Sequence, residues 1–226
     1  NFEVRFDATD GGTGINRVEF PVFVAPWGGG GPDNTGPTPY VGAYAFSAVS
    51  PSPGLQNVTA FDNGGNSVTR DFTVEADAAA PTGGSIIVPN SAPPSMNATS
   101  VTISKTASTD GAGSGIASTT LQRRQKAFAN GVCDPGPWSG YTDRTTSMGA
   151  SYVDTVAHGF CYQYQTLVTD NVGNVQTIQD TVNTVRVDDQ DPTGNFDPTP
   201  AGPISATTAI TGTASDTNSG VASVAL

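Results

Sequence analysis

Asp170-Asn171-Val172-Gly173-Asn174 repeats, almost residue for residue, a segment 108 positions earlier: Asp62-Asn63-Gly64-Gly65-Asn66. Carboxylate and amide oxygens set in a glycine-bearing turn are the ligands a hard cation takes. Calcium uses six to eight oxygens at about 2.3–2.6 Å, so backbone carbonyls or water would complete any set of side chains. Three candidate sets follow if the chain is a series of antiparallel strands, whose alternate turns and incoming linker lie at one end: Asp77, Asp110, Asp170 and Asn174; Asp7, Asp10, Asp62 and Asn66; and Asp188, Asp189, Asp191 and Asp216. Calcium is therefore the candidate cofactor, one that would relieve carboxylate repulsion and stiffen the chain. The competing reading is that each Asp or Asn only closes its own turn through an Asx bond.

Other chemistry is sparse. Cys133 and Cys161 are the two cysteines. Zinc needs more ligands at tighter spacing than these offer with the distant His158, so the pair is expected to be a disulfide. It would close a loop of about 29 residues, worth roughly 3–4 kcal/mol in the chain-entropy model, and it implies an oxidising, extracellular setting. Trp27 with Tyr40, and Trp138 with Tyr141, occupy corresponding places in two repeated stretches. Exposed, such rings would stack on sugars and bind carbohydrate; buried, each would cap its own module. With one histidine, no Gly-x-Ser-x-Gly elbow, no phosphate-cradling loop and no zinc-protease motif, no enzyme is expected. The acidic pair Asp188 and Asp189 lies in a linker, without the cleft a glycosidase needs. Asn57 and Asn97 begin N-glycosylation triplets, a pattern that chance often produces.

The elements that must position these residues are strands. Charged residues make up 13% of the 226, and Gly (27) and Pro (17) punctuate short runs rich in β-branched residues, the pattern of strands and turns. The best helix candidate, residues 119–131, is poorly periodic. A net charge of −11 repels phosphate backbones and anionic lipids, so no nucleic acid partner is expected. Arg123, Arg124 and Lys126 form the basic cluster, read as a solvated strand face. None of the apolar runs approaches the ~20 residues that span a bilayer, so no membrane insertion is expected.

Internal repeats organise the chain. Gly followed by Ile or Val recurs at 14–15, 115–116 and 220–221, in steps of 101 and 105; Pro-Thr-Gly recurs from Pro81 to Pro192, a step of 111. A period near 105 with about seven short strands is the size of an immunoglobulin-like sandwich. In the second repeat strand A reads 83–89, B 100–108, C 116–124, E 150–156, F 161–169 and G 175–187. Tyr162, Tyr164, Thr166 and Val168 should share the inward face of F, as should Val58 and Ala60 in the first repeat. The Asp-Asn-x-Gly-Asn turns then join F to G. Residues 24–42, "VAPWGGGGPDNTGPTPYVG", are too rich in Gly and Pro to be ordinary strand.

"DAAAPTGGSI", "STDGAGSGIAS", "NGVCDPGPWSGY" and "FCYQYQTLVTDNVGN" together resemble the bacterial Ig-like repeats of very large secreted and cell-surface proteins. The resemblance implies an all-β chain of tandem immunoglobulin-like antiparallel β-sandwiches. The expected domains are 1–80, a module lacking its N-terminal strand; 81–191, a complete module; and 192–226, the first third of another, so that the chain would be an excerpt of a longer polypeptide. It also implies an extracellular or cell-surface structural or adhesive segment (stalk, fibre or surface layer), whose partners are neighbouring modules and cell-surface glycans or proteins. Two rivals stand beside it: a carbohydrate-binding accessory region of a secreted enzyme, and an Ig-like subunit of a phage or cell-surface appendage.

Overall fold

The computed structural model describes residues 1–46, 51–90, 95–180, 182–196 and 211–225. Every regular element among them is a strand. The chain divides into two compact units, Asn1–Ala79 with Val172–Asn174, and Ala80–Asn171 with Val175–Leu226. The end of the range expected for strand C of a third module, Leu226, lies outside the described residues.

The first unit contains β1 (Phe2–Phe6), β2 (Ile15–Phe23), β3 (Gly28–Asp33), β4 (Tyr40–Ala45), β5 (Gly54–Asp62) and β6 (Ser67–Val74). They form one antiparallel sheet in the order β1-β4-β3-β2-β5-β6. Alternation in β2 sends Val18 and Phe20 inward while Glu19 faces solvent. These pack with Tyr40, Tyr44, Val58 and Ala60, and with Phe2, Val4 and Phe6 of β1. Side chains from both ends of the strand order thus share one core, so the sheet is folded over on itself about β3.

That strand corrects the expectation for residues 24–42. β3 pairs with β2 on one side and β4 on the other, although four of its six residues are glycine. The backbones come so close that a Cβ on Gly29 would sit 2.1 Å from the Ala43 carbonyl oxygen, and one on Gly30 1.9 Å from that of Pro21. Both have positive φ, +108° and +85°, which glycine alone adopts readily. Here glycine makes the strand possible instead of breaking it.

The second unit begins with β7 (Thr82–Ile87), β8 (Ser100–Thr109), β9 (Ile116–Ala129), β10 (Val132–Cys133), β11 (Thr142–Thr145) and β12 (Ser151–Thr155). It continues with β13 (Phe160–Asp170), β14 (Val175–Gln179), β15 (Val185–Val187), β16 (Thr193–Phe196) and β17 (Gly212–Ser215). One sheet runs β12-β8-β7. A second runs β10-β9-β13-β14, with β11 also on β9 and β15 also on β13, and β16 pairs with β17 as a separate two-stranded sheet. Ile86, Val101 and Ile103 of the first sheet pack on Leu121, Tyr162, Tyr164, Val185 and Val187 of the second. An A-B-E sheet facing a C-F-G sheet is immunoglobulin-like. Full burial of each large side chain contributes about 1.5–3 kcal/mol.

Strand F alternates as its sequence indicates. Tyr162, Tyr164, Thr166 and Val168 are all buried, as are Val58 and Ala60 in the first unit. Residues 119–131 hold no helix; β9 runs through Ala129 because β13 pairs with it as far as Phe160 opposite Ala127. The expected strand G is two strands, β14 and β15, on successive stretches of β13. Between them Asp180 accepts hydrogen bonds from Val182 N, Asn183 N and Asn183 Nδ2, closing a turn that interrupts the strand.

Candidate functional site

The acidic residue of each B–C turn binds its own turn first. Gly14 N donates to Asp10 Oδ2 (2.8 Å), Gly115 N to Asp110 Oδ2 (2.6 Å) and Gly220 N to Asp216 Oδ1 (3.0 Å). The three glycines have φ of +79°, +85° and +79°. One device therefore recurs three times. The strands leading into it match as well: Thr82 pairs with Thr109, just before Asp110, and Thr193 with Ser215, just before Asp216.

The F–G turns add a clamp that reading for acidic residues overlooked. Asn63 Nδ2 donates to the carbonyls of Thr13 (2.9 Å) and Gly14 (3.1 Å). Asn171 Nδ2 donates to those of Ser114 (2.7 Å) and Gly115 (3.1 Å). The backbone repeats the contact, Asn63 N to Gly14 O and Asn171 N to Gly115 O, each at 3.0 Å. Within each unit the second residue of the F–G turn thus fastens the B–C turn. The Asp-Asn pair common to both copies was the available signal.

The last residues of the two F–G turns differ. Asn66 folds back, its backbone N and Nδ2 each donating to Asp62 at 2.7 Å, and these bonds hold the Asp62 carboxyl below the usual carboxylate range. Asn174 Nδ2 instead donates to the carbonyls of Asp77 and Ala79, each at 3.2 Å. Asp7 accepts from Thr38 Oγ1 (2.9 Å). With Asp7 and Asp10 so engaged, Asp7, Asp10 and Asp62 do not make a three-carboxylate group among the described residues, nor do Asp188, Asp189, Asp191 and Asp216. In the second unit, carboxylate oxygens of Asp110 and Asp170 do lie within 4.8 Å of one another. Asp170 is 2% exposed, and Asp110 Oδ1 is buried without a hydrogen-bond partner.

The third copy of the Asp-to-Gly turn is seated within the second unit. Asn130 N and Gly131 N, in the β9–β10 turn, donate to the carbonyls of Thr217 (2.9 Å) and Asn218 (2.5 Å). Ser219 N donates to Asp188 Oδ2 (2.8 Å) and to Asp216 Oδ1 (2.8 Å), and backbone donors hold the Asp216 carboxyl below the usual range. The Asn218 amide meets His158 Nε2 at 2.6 Å. His158 Nδ1 lies 3.3 Å from both Asp188 and Asp189, although neither contact has hydrogen-bonding geometry. Asp191 is exposed.

Cys133 and Cys161 are bonded, with Cα atoms 5.9 Å apart. The bridge joins β10, a short strand on the edge of β9, to β13. Trp27 and Tyr40 are each 7% exposed. Trp27 Nε1 donates to the Pro51 carbonyl at 2.6 Å, and its ring contacts Phe2, Phe23 and Phe46, so this pair cannot offer the sugar platform considered from the sequence. Trp138 and Tyr141 are half-buried and flank Arg124, whose guanidinium lies 5.2 and 4.9 Å from their ring centres.

The second core also holds an ion network. Asp154, fully buried, accepts from Arg123 Nη1 (2.9 Å), Arg144 Nε (2.7 Å) and Tyr164 Oη (2.9 Å). Burial pushes the Tyr164 hydroxyl well above the usual tyrosine range, and the Asp154 charge adds to that. Arg123, counted from the sequence as part of a solvated face, thus points into the core.

No protein-family model matches this chain, and no curated protein matches it. Among solved structures, it is similar to the fibronectin(III)-like modules of Clostridium thermocellum CbhA, at 17% identity and a TM-score of 0.33, over 80% of this chain and 83% of that one. The strand order described above carries the fold assignment.

Proposed function

We propose that the chain is a run of immunoglobulin-like modules forming an extracellular structural or adhesive segment of a larger protein, and that residues 192–226 belong to a further module. The observation that supports this reading best is the threefold recurrence of one Asp-to-Gly turn, its third copy seated by backbone bonds from Asn130 and Gly131. A repeated unit that docks the start of the next suits a spacer, with neighbouring modules as partners. The Cys133–Cys161 bridge supports an oxidising compartment. Antibodies raised against the chain should label the surface of intact source cells, and a protease applied outside should remove the signal. Labelling confined to permeabilised cells would overturn the assignment.

Calcium is the proposed ion, held in the second unit by Asp110 and Asp170. Its support is the buried, unbonded Asp110 Oδ1 and the closeness of the two carboxylates. Two such ligands leave four or more positions for carbonyls and water. Calorimetry should show binding that is lost in Asp110→Asn, with a melting temperature that falls on chelation. No heat and no shift would leave Asp110 with its turn-closing bond alone.

A further inference from the structure

In a chain with 20 acidic and 9 basic residues, two cations on one sheet face lack a carboxylate. Register sets the face: Arg124 lies opposite Gln163 and Lys126 opposite Cys161, on the side of β9 turned away from buried Leu121. Arg5, Arg17, Arg123 and Arg144 each meet an acidic side chain. Among the described residues, Arg70, Lys105, Arg124 and Lys126 meet none, and the last two share one face of β9.

Both are instead held by aromatic rings. Lys126 Nζ lies 4.7 Å from the Trp138 ring centre, while Arg124 sits against both Trp138 and Tyr141. The loop presenting these rings is pinned on two sides. Asp134 N donates to Ala127 O and Ser139 N to Gln125 O, and the disulfide anchors its start. Arg124 directs Nε and Nη2 to Gln163 Oε1 (3.1 and 2.7 Å), leaving Nη1 without a bond among the described residues. Lys126 makes one long contact, 3.5 Å, to the Gly136 carbonyl. Stacking fixes the positions of both charges without neutralising them.

The rest of the face carries the Asp143 carboxylate, opposite Gln122, and a row of amides. Gln122 Nε2 donates to Asp143, Gln165 to Gln122 and Gln179 to Gln165. Such groups, each donor and acceptor at once, match sugar hydroxyls, and flat rings beside a few placed polar groups are what a small-ligand site is made of.

We propose that this face of the second unit binds an acidic saccharide, a uronate, with Arg124 Nη1 and Lys126 Nζ on its carboxylate and the exposed parts of Trp138 and Tyr141 against its ring. The two positions are two residues apart on one strand, about 7 Å, within reach of one sugar carboxylate. An acidic protein segment would satisfy the charges but leave the amides and rings without a role.

The test is calorimetry of the 226-residue chain with a galacturonic-acid pentamer, in the presence of a chelator so that calcium cannot contribute. Binding is expected, weakening as salt rises from 0.05 to 0.3 M, where the range of electrostatic interaction shortens about 2.4-fold. Arg124→Gln and Lys126→Gln should each raise Kd about tenfold or more, with Lys126→Gln leaving the melting temperature unchanged. Three results would overturn the proposal: no binding at millimolar pentamer, equal binding of a neutral glucose pentamer that is insensitive to both variants, or equal binding of polyglutamate, which would assign the face to acidic protein.

Discussion

In the first unit the stretch after β2 returns as β3, a run of glycine that welds β2 to β4 and folds one sheet around the core. In the second unit the stretch after β9 forms the two-residue β10, a loop and β11, which pairs with β9 but not with β12, so the two sheets of its sandwich stay separate. Across the sheets the joining is done by side chains, and within the second sheet by a disulfide. Asp154, Arg123 and Arg144 link β12 to β9 and β11, and a disulfide ties β10 to β13. The same B–C to F–G clamp serves both units, so the conserved contact fixes the turns while closure of the core is free to vary.

The sharpest way to break this comparison is Asp154→Ala, which strands two arginines in the second core. The loss should be about 3–5 kcal/mol and should appear only in the second unit. Each unit holds one tryptophan, Trp27 or Trp138, so single-tryptophan variants report the two separately in urea. A coupled loss in both signals would show that the units do not unfold independently. Next in size is Gly30→Ala, whose Cβ meets the Pro21 carbonyl at positive φ. It should cost about 2–3 kcal/mol in the first unit, against roughly 1 kcal/mol for Gly131→Ala, where nothing lies within 4 Å. Equal costs would mean that β3 yields easily and is not the weld.

Asn63→Ala and Asn171→Ala test the shared part. Each removes side-chain bonds to two carbonyls on an exposed turn, so each should cost about 1 kcal/mol in its own unit. A large difference would show that the clamp serves the two units unequally. The smallest effect is on pH. The folded-state pKa of Asp62 is depressed by its bonds from Asn66, so its contribution is present above the unfolded value of about 3.9 and is lost as pH falls through the folded value. Hydrogen exchange at the Asn66 amide should accelerate in that acidic window and should lose this dependence in Asp62→Asn.

Much of the fold is legible because it is written in period-two burial. Tyr162, Tyr164, Thr166 and Val168 announce strand F, and the matching turns announce the repeat. β3 is silent for a physical reason, since a strand of glycine carries no side-chain period. Strand G misleads because the residues flanking Asp180 still alternate while its carboxylate closes a turn. The Asp154 network was readable in part: Asp154 shares parity with Tyr152 and Val156, and Arg123 with Leu121, so opposite charges fall at inward positions. Their separation of 31 residues hides the pairing. The acidic sets were only half legible, because counting carboxylates does not reveal which are already engaged by their own turn, as Asp10 and Asp216 are.

The disulfide also changes what the second unit can do under tension. A pulling force applied through the chain would pass directly from Cys133 to Cys161, bypassing β11 and β12. The 28 residues spanned would be withheld from extension, which at about 3.4 Å per residue hides roughly 95 Å of contour length. Reduction would release that slack, so the redox state of the surroundings would set how far this segment yields before it is fully drawn out.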